Sequence, residues 1–365
     1  MASSNVERVR GMSGVKLHVE VMRPVLPLFE TVASRLAAVD QSGLYSNFGP
    51  QECEFRERFA ERLRVDASQV SSVANATLGL AGAVAVLGGS RWAVPEFTFA
   101  ATPAAVLAAG AEVVFADAGV DMSLDVAGVL ADGFMPVAPF GAPPDLERWS
   151  GAGQVVHDAA ASLGNDLDLS GLPAGQAVVF SLHATKVLGA GEGGVVVFGD
   201  EADAARFRAW TNFGFAGSRE AQVAGVNAKM SEIQACYAHA ALDGWEQERA
   251  EWVEARERVE RMAAAVCLEL LRFGNGVNPY AIAEFPDAGT TLRVESTLAR
   301  HGVGTRRWWS MGCHRMPAYA HLTDAEFPVT DDLAARTLGL PIYRGMTDED
   351  VEVVRAALED ALEQA

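Results

Sequence analysis

Over its first two thirds the chain alternates short apolar runs with segments of helical spacing. Residues 50–65, PQECEFRERFAERLRV, space their apolar side chains as one helix face. Residues 71–87, SSVANATLGLAGAVAVL, read as a strand end, a turn and an Ala-rich helix. Strands are predicted at RWAVPE (91–96), AEVVFAD (111–117), MPVAPFG (135–141), GQVVHDAA (153–160), QAVVFSLH (176–183) and GGVVVFG (193–199), with a helix at ATPAAVLAAG (101–110). Strand–helix alternation at this density predicts an α/β fold with a mostly parallel sheet. After about residue 228 the pattern changes. Residues 229–270 form one long helical stretch, broken near Asp243-Gly244, and a smaller α+β part comes after it. It contains NPYAIAEFP, TTLRVESTLARHGV and a last helix opening at TDEDVEVVRAALEDALEQ, where Thr347 and Asp350 form a capping-box pattern with Asp in place of Glu. The predicted division is a large domain over 1–245 and a small C-terminal domain over 246–365.

Composition narrows the function classes. The 365 residues are half hydrophobic, enough for a sizeable core, and carry a formal net charge of −19. That charge disfavours nucleic acid or an anionic membrane as partner, but leaves room for a small anion in a local basic pocket. The four cysteines (Cys53, Cys236, Cys267, Cys313) form no CxxC pair, so neither a zinc knuckle nor a disulfide framework is expected. The opening MASSNVERVRGM lacks an apolar signal core, and the longest apolar stretches are interrupted and shorter than the ~18 residues of a membrane span. A soluble, cytoplasmic protein is the expectation.

Four positions carry candidate chemistry. Asp158 ends an apolar strand, where it can cap the next helix or face a ligand at the carboxyl edge of the sheet. Asn75-Ala76-Thr77 opens a small-residue helix, an ordinary cap or an anion site. Phe99 lies a few residues beyond a strand and either packs in the core or stacks on a planar ligand. Lys186 lies between two apolar strands in FSLHATKVLGAGEGG, where a lysine is either solvated or functional. A lysine amine able to form a Schiff base, an acid for a pyridine nitrogen, a phosphate cradle and a ring-stacking aromatic are together what pyridoxal phosphate (PLP) requires. A nicotinamide-binding alternative would need its Gly-rich turn after a first strand and before a helix, and GAGEGG lies between two strands instead.

From about Gly43 onward the chain closely resembles the DegT/StrS-type sugar aminotransferases, PLP enzymes of the aspartate-aminotransferase fold (fold type I). The resemblance is carried by GLYSNFGPQECEFRERFA, NATLGLAGAV, VPEFTFAATPAAVLAAGAEVVFAD, PVAPFGAPPDL, HDAAASLG, FSLHATKVLGAGEGG, GVNAKMSEIQAC and LGLPIYRGMTDEDV. It implies that Lys186 forms the Schiff base, that Asp158 pairs with the pyridinium nitrogen, and that Ser181, Ala76 and Thr77 hold the phosphate while Phe99 stacks on the ring. Asn227 would reach the cofactor phosphate of a neighbouring subunit, so a homodimer with shared active sites is implied. Glu192 is expected either to orient the glycine turn or to sit at the surface, and His183 to be structural.

The resemblance further implies an amino transfer from glutamate, through the pyridoxamine form of the cofactor, to a nucleotide-linked keto sugar. GVNAKMSE and FSLHATKV look most like the members that aminate 4-keto-6-deoxy sugars on dTDP. A 3-keto sugar, a non-catalytic PLP-binding relative, and a dehydratase (which would replace the lysine by His) are the alternatives. Two departures stand out. Ala161 occupies a position where the family usually has Gln or His, leaving a polar contact missing or supplied by Ser162. The segment TRRWWSMGCHRMPAY replaces the usual aromatic and PLH-like run. From it Arg306, Arg307, Trp308, His314 and Arg315 are expected to contact substrate, charge-assisted Arg–phosphate bonds being the physical reason; a surface patch is the plainer reading.

Overall fold

The computed structural model describes residues 18–363. The reading of the first twelve residues therefore lies outside the described part. Helix α1 (Phe29–Ser42) leads into α2 (Pro50–Leu63), which starts with proline at its first position, where no N–H partner is lost. The N–H groups of Gln51 and Glu52, which have no partner within the first turn, donate to the buried carboxylate of Glu232 at 2.8 and 2.9 Å, an acid meeting the positive end of a helix.

The central sheet has seven strands: β1 (Val70–Val73), β2 (Arg91–Pro95), β3 (Glu112–Ala116), β4 (Gly133–Phe134), β5 (Gln154–Asp158), β6 (Gln176–Ser181) and β7 (Gly194–Phe198). Their order is β1-β7-β6-β5-β4-β2-β3. β7 runs antiparallel to both its neighbours and the other pairs are parallel. Every residue of β1, β6 and β7 is buried, the signature of a sheet covered on both faces. Three helices belong to this part: α3 (Ala76–Leu87), α4 (Ala101–Ala108) and α5 (Glu201–Thr211). The small residues of α3 let it lie close to the sheet. A Cβ on Gly79 would stand 3.0 Å from Val179 and 3.1 Å from Val196, so the helix or those side chains would have to give by a few tenths of an ångström.

The expected strand MPVAPFG is the element that departs. Only Gly133–Phe134 pairs as a strand, with a single further bridge from Val137 to Asp158. Pro136 and Pro139 lack the N–H a ladder needs, and residues 139–141 turn as a short 3-10 helix instead. The long helical stretch is two helices, α6 (Glu232–Asp243) and α7 (Trp245–Ala265), meeting at Gly244. Beyond it β8 (Ala281–Glu284) pairs antiparallel with β9 (Thr337–Leu340), accompanied by α8 (Ala288–Arg300), α9 (Pro328–Arg336) and α10 (Asp348–Glu363). Thr347 and Asp350 exchange the expected capping bonds, Thr347 N–H to the carboxylate at 3.0 Å and Asp350 N–H to the hydroxyl at 3.1 Å. The proposed division at 245 coincides with the start of α7. The largest buried cluster draws on both sides of it, from Phe55 and Phe180 to Val259, Leu298 and Leu358.

Candidate active site

The carboxyl ends of β5 and β6 and the start of α3 open onto one cavity of about 640 Å³. Asp158, the last residue of β5, is 6% exposed. One carboxylate oxygen accepts from the Thr102 hydroxyl at 2.9 Å, and the other from Ala160 N–H at 3.3 Å. Burial pushes this carboxyl up, against the downward pull of Thr102, Ala160 and Lys186. It thus both braces the turn after β5 and lines the cavity.

Lys186 lies in the loop after β6. Its amine donates to the Tyr280 hydroxyl at 2.9 Å. Gly191, at φ +92, takes the left-handed conformation in the loop that returns to β7. Gly194 opens β7 against the start of α3. A Cβ there would lie 2.9 Å from the Ala76 nitrogen, so glycine is what lets strand and helix start approach. His183 Nε2 lies 3.8 Å from Glu192 across the turn, and its Nδ1 lies 2.9 Å from the Thr185 hydroxyl.

Asn75 caps α3, its side chain accepting from Leu78 N–H at 3.0 Å, so the capping role falls to Asn75 and Ala76 and Thr77 face the cavity. Ser181 lines the cavity at the end of β6 and accepts from His183 N–H at 3.2 Å. Phe99 is 62% exposed and lines the cavity, so it is no core residue.

The remaining expected residues divide. Arg306 and Trp308 line the cavity, the guanidinium lying 4.9 Å from the indole centroid. Arg307 turns away to Glu295 at 2.9 Å and to the carbonyl of Ala334. His314 binds Glu96 at 2.9 Å, and Arg315 pairs with Asp331 at the surface. Ala161 lines the cavity, while the Ser162 hydroxyl donates to Ala142 O at 2.5 Å, so Ser162 does not replace the missing polar contact. Asn227 is exposed, outside this cavity, and accepts from the Lys229 amine at 2.8 Å. Sequence reasoning missed Tyr280, Thr102 and the wall formed by Phe140 stacked on Trp309 at 4.2 Å. The hydroxyls of Thr102 and Tyr280 were visible only as ordinary members of a helix start and a strand.

The donor set fits PLP. A buried carboxylate raised by burial is relieved by a cationic ring nitrogen, and free N–H groups at the start of a twelve-residue helix suit a phosphate. Among the described residues no group of acids, His and Cys could hold a metal ion, and no helix is long and apolar enough to cross a membrane.

The α/β fold is that of PLP-dependent aminotransferases, and a lysine and a buried carboxylate line the cavity at the carboxyl edge of its sheet. The chain belongs to the DegT/DnrJ/EryC1/StrS aminotransferase family, whose pattern matches residues 29–359, and it is a sugar aminotransferase. The UDP-N-acetyl-3-dehydro-alpha-D-glucosamine 3-aminotransferase of Acidithiobacillus ferrooxidans is 27% identical over 295 residues, covering 75% of this chain and 78% of that one. A PLP-dependent aminotransferase from Bacillus cereus superimposes with TM-score 0.86 at 26% identity, covering 93% of this chain and 99% of that one. DesI, solved in the presence of its TDP-sugar product, superimposes with TM-score 0.84 at 31% identity, covering 96% of this chain and 95% of that one.

Proposed function

We propose that this aminotransferase moves an amino group from glutamate to the 4-keto position of a dTDP-linked deoxy sugar, using PLP. The observation that carries the reading is the meeting of Lys186, Asp158 and the start of α3 in one cavity whose wall also presents Arg306 and Trp308. PLP, when bound, supplies an aldehyde for the amino group and a protonated ring that accepts electrons from the donor's α-carbon. Lys186 is the residue that holds the cofactor, and Asp158 keeps the ring nitrogen protonated. Ser181, Thr77 and the Ala76 N–H hold the phosphate, and Phe99 covers the ring. Once freed, the Lys186 amine would take the proton from the donor's α-carbon as a base and deliver it as an acid to the C4′ carbon of the cofactor. One water would release the donor as 2-oxoglutarate with its nitrogen left in the site, and the keto sugar would take up that nitrogen with loss of one water in a second half-reaction.

DesI and its TDP-sugar product support the dTDP choice, and the motifs GVNAKMSE and FSLHATKV support the 4-keto position. The Acidithiobacillus relative favours a second reading, a UDP-linked 3-keto sugar. The test is the visible spectrum of the purified protein with PLP. Glutamate should bleach the visible band, and the correct keto sugar should restore it. Recovery with a UDP-linked 3-keto sugar and none with dTDP-linked 4-keto sugars would replace the first reading by the second. A bound cofactor that ignores glutamate would point to another donor or to a non-catalytic relative.

A further inference from the structure

We propose that Tyr280 is a positioning residue for the catalytic lysine: its hydroxyl receives the Lys186 amine whenever that amine is free of the cofactor, and holds it for proton transfer. The inference rests on the aminotransferase reading of the cavity. The contact is a 2.9 Å hydrogen bond from Nζ to the phenol oxygen. The amine stands 5.6 Å from the ring centroid, so the hydroxyl, and not the ring face, is what it meets.

Tyr280 itself is held from all sides. It is 8% exposed, its ring meets Trp308 edge-on at 4.9 Å, and Phe140 lies 5.7 Å away. Its N–H donates to Asn278 Oδ1 at 3.2 Å, and its carbonyl accepts from the Arg256 guanidinium at 2.9 Å. The next residue begins β8. The phenol oxygen is therefore a fixed point, whereas a lysine side chain is a flexible four-carbon stem. A released lysine must stay near the reacting carbon while donor and acceptor exchange. A fixed acceptor within hydrogen-bond reach limits its wandering and lowers the entropic part of the barrier. Tyr280 also touches Trp308, which shares the cavity wall with Arg306, so the lysine's resting point and the substrate wall are one packed unit.

The test compares the full-length wild type with Tyr280→Phe, which keeps the ring and removes one oxygen. Each cofactor-free protein is mixed with PLP, and covalent capture is followed by the visible band. Glutamate carrying protium or deuterium at its α-carbon is then added and single-turnover bleaching is timed. The variant should capture PLP more slowly and bleach about tenfold more slowly, a fraction of what a positioned proton-transfer group contributes. It should show a larger deuterium effect, with half-saturation by glutamate unchanged. Equal capture rates and equal isotope effects would reduce Tyr280 to a wall residue and overturn the proposal.

Fluorotyrosine placed at position 280 guards against a variant that folds poorly. Its fluorine resonance should move when PLP takes Lys186 and move back when glutamate frees it; a resonance that stays fixed through both additions overturns the proposal. A wild type that captures PLP but ignores glutamate refutes the glutamate donor, while the capture rates and the resonance on PLP addition still decide the role of Tyr280. A wild type that captures no PLP overturns both readings.

Discussion

Lys186 and Asp158 take different kinds of support from their surroundings, and their substitutions should fail differently. Lys186→Ala removes the proton-transferring amine, and turnover should fall roughly 10⁴-fold or more while the fold is kept. Full activity in that variant would sink the assignment. Asp158→Asn keeps an acceptor for Thr102 but loses the charge. Its glutamate half-reaction should slow by about two orders of magnitude, the scale of a lost charge-stabilising group, with the protein still folded by circular dichroism. Both positions were legible in the sequence, Asp158 as the last residue of an apolar strand and Lys186 as a lysine set between two such strands. Their partners were not. Thr102 is 56 residues from Asp158 and Tyr280 is 94 residues from Lys186, so only the folded topology brings them together. The same limit explains Arg307, His314 and Arg315. The sequence shows their charge but not that Glu295, Glu96 and Asp331 stand beside them.

At the scale of elements, Glu96 joins the end of β2 to the segment around His314. It is fully buried, accepts from His314 N–H at 2.6 Å, and lies 2.9 Å from the imidazole. Burial pushes the Glu96 carboxyl from 4.5 up to about 8 and pushes the His314 imidazole below 6.5, so both shifts favour the neutral pair. The signs are opposite. A carboxyl raised in the folded state loses stability as pH rises from its unfolded value through about 8. An imidazole lowered in the folded state gains stability as pH rises toward 6.5. The two oppose each other in the acid range, and above 6.5 only the Glu96 loss remains. The unfolding free energy of the wild type should therefore fall between pH 6.5 and about 8, by at most about 1.4 kcal/mol per pH unit from this one group, and the thermal midpoint should fall with it. Glu96→Gln should abolish that fall, and an unchanged fall in the variant would remove Glu96 as its source. The strand pattern was legible at this scale wherever apolar runs were unbroken. It misled at MPVAPFG, where two prolines cost the run its ladder.

At the scale of the whole molecule, four exposed apolar side chains lie on the segments around Asn227. Tyr45 accepts from Glu232 N–H through its carbonyl, Asn227 bridges to Asn212, and Lys229 lies 4.7 Å from the Phe213 ring. Tyr45, Phe213, Val226 and Ile233 are all more than a third exposed. Exposed apolar side chains of this kind are what a second copy of the chain would cover. We propose that this face forms the homodimer and that Asn227 completes the phosphate site of the partner. Asn227→Ala should then weaken cofactor retention without disturbing its own cavity. The decisive experiment mixes Lys186→Ala with Asn227→Ala under conditions that let subunits exchange, at a PLP concentration low enough that Asn227→Ala by itself shows no turnover. In a mixed dimer one site joins the intact Lys186 of one protomer to the intact Asn227 of the other, and the second site carries both defects. Random pairing makes half the dimers mixed, so about a quarter of wild-type activity should return if the site is shared in this way. No recovery despite proven exchange would confine each site to a single chain, and normal activity in a proven monomer would refute the shared site outright.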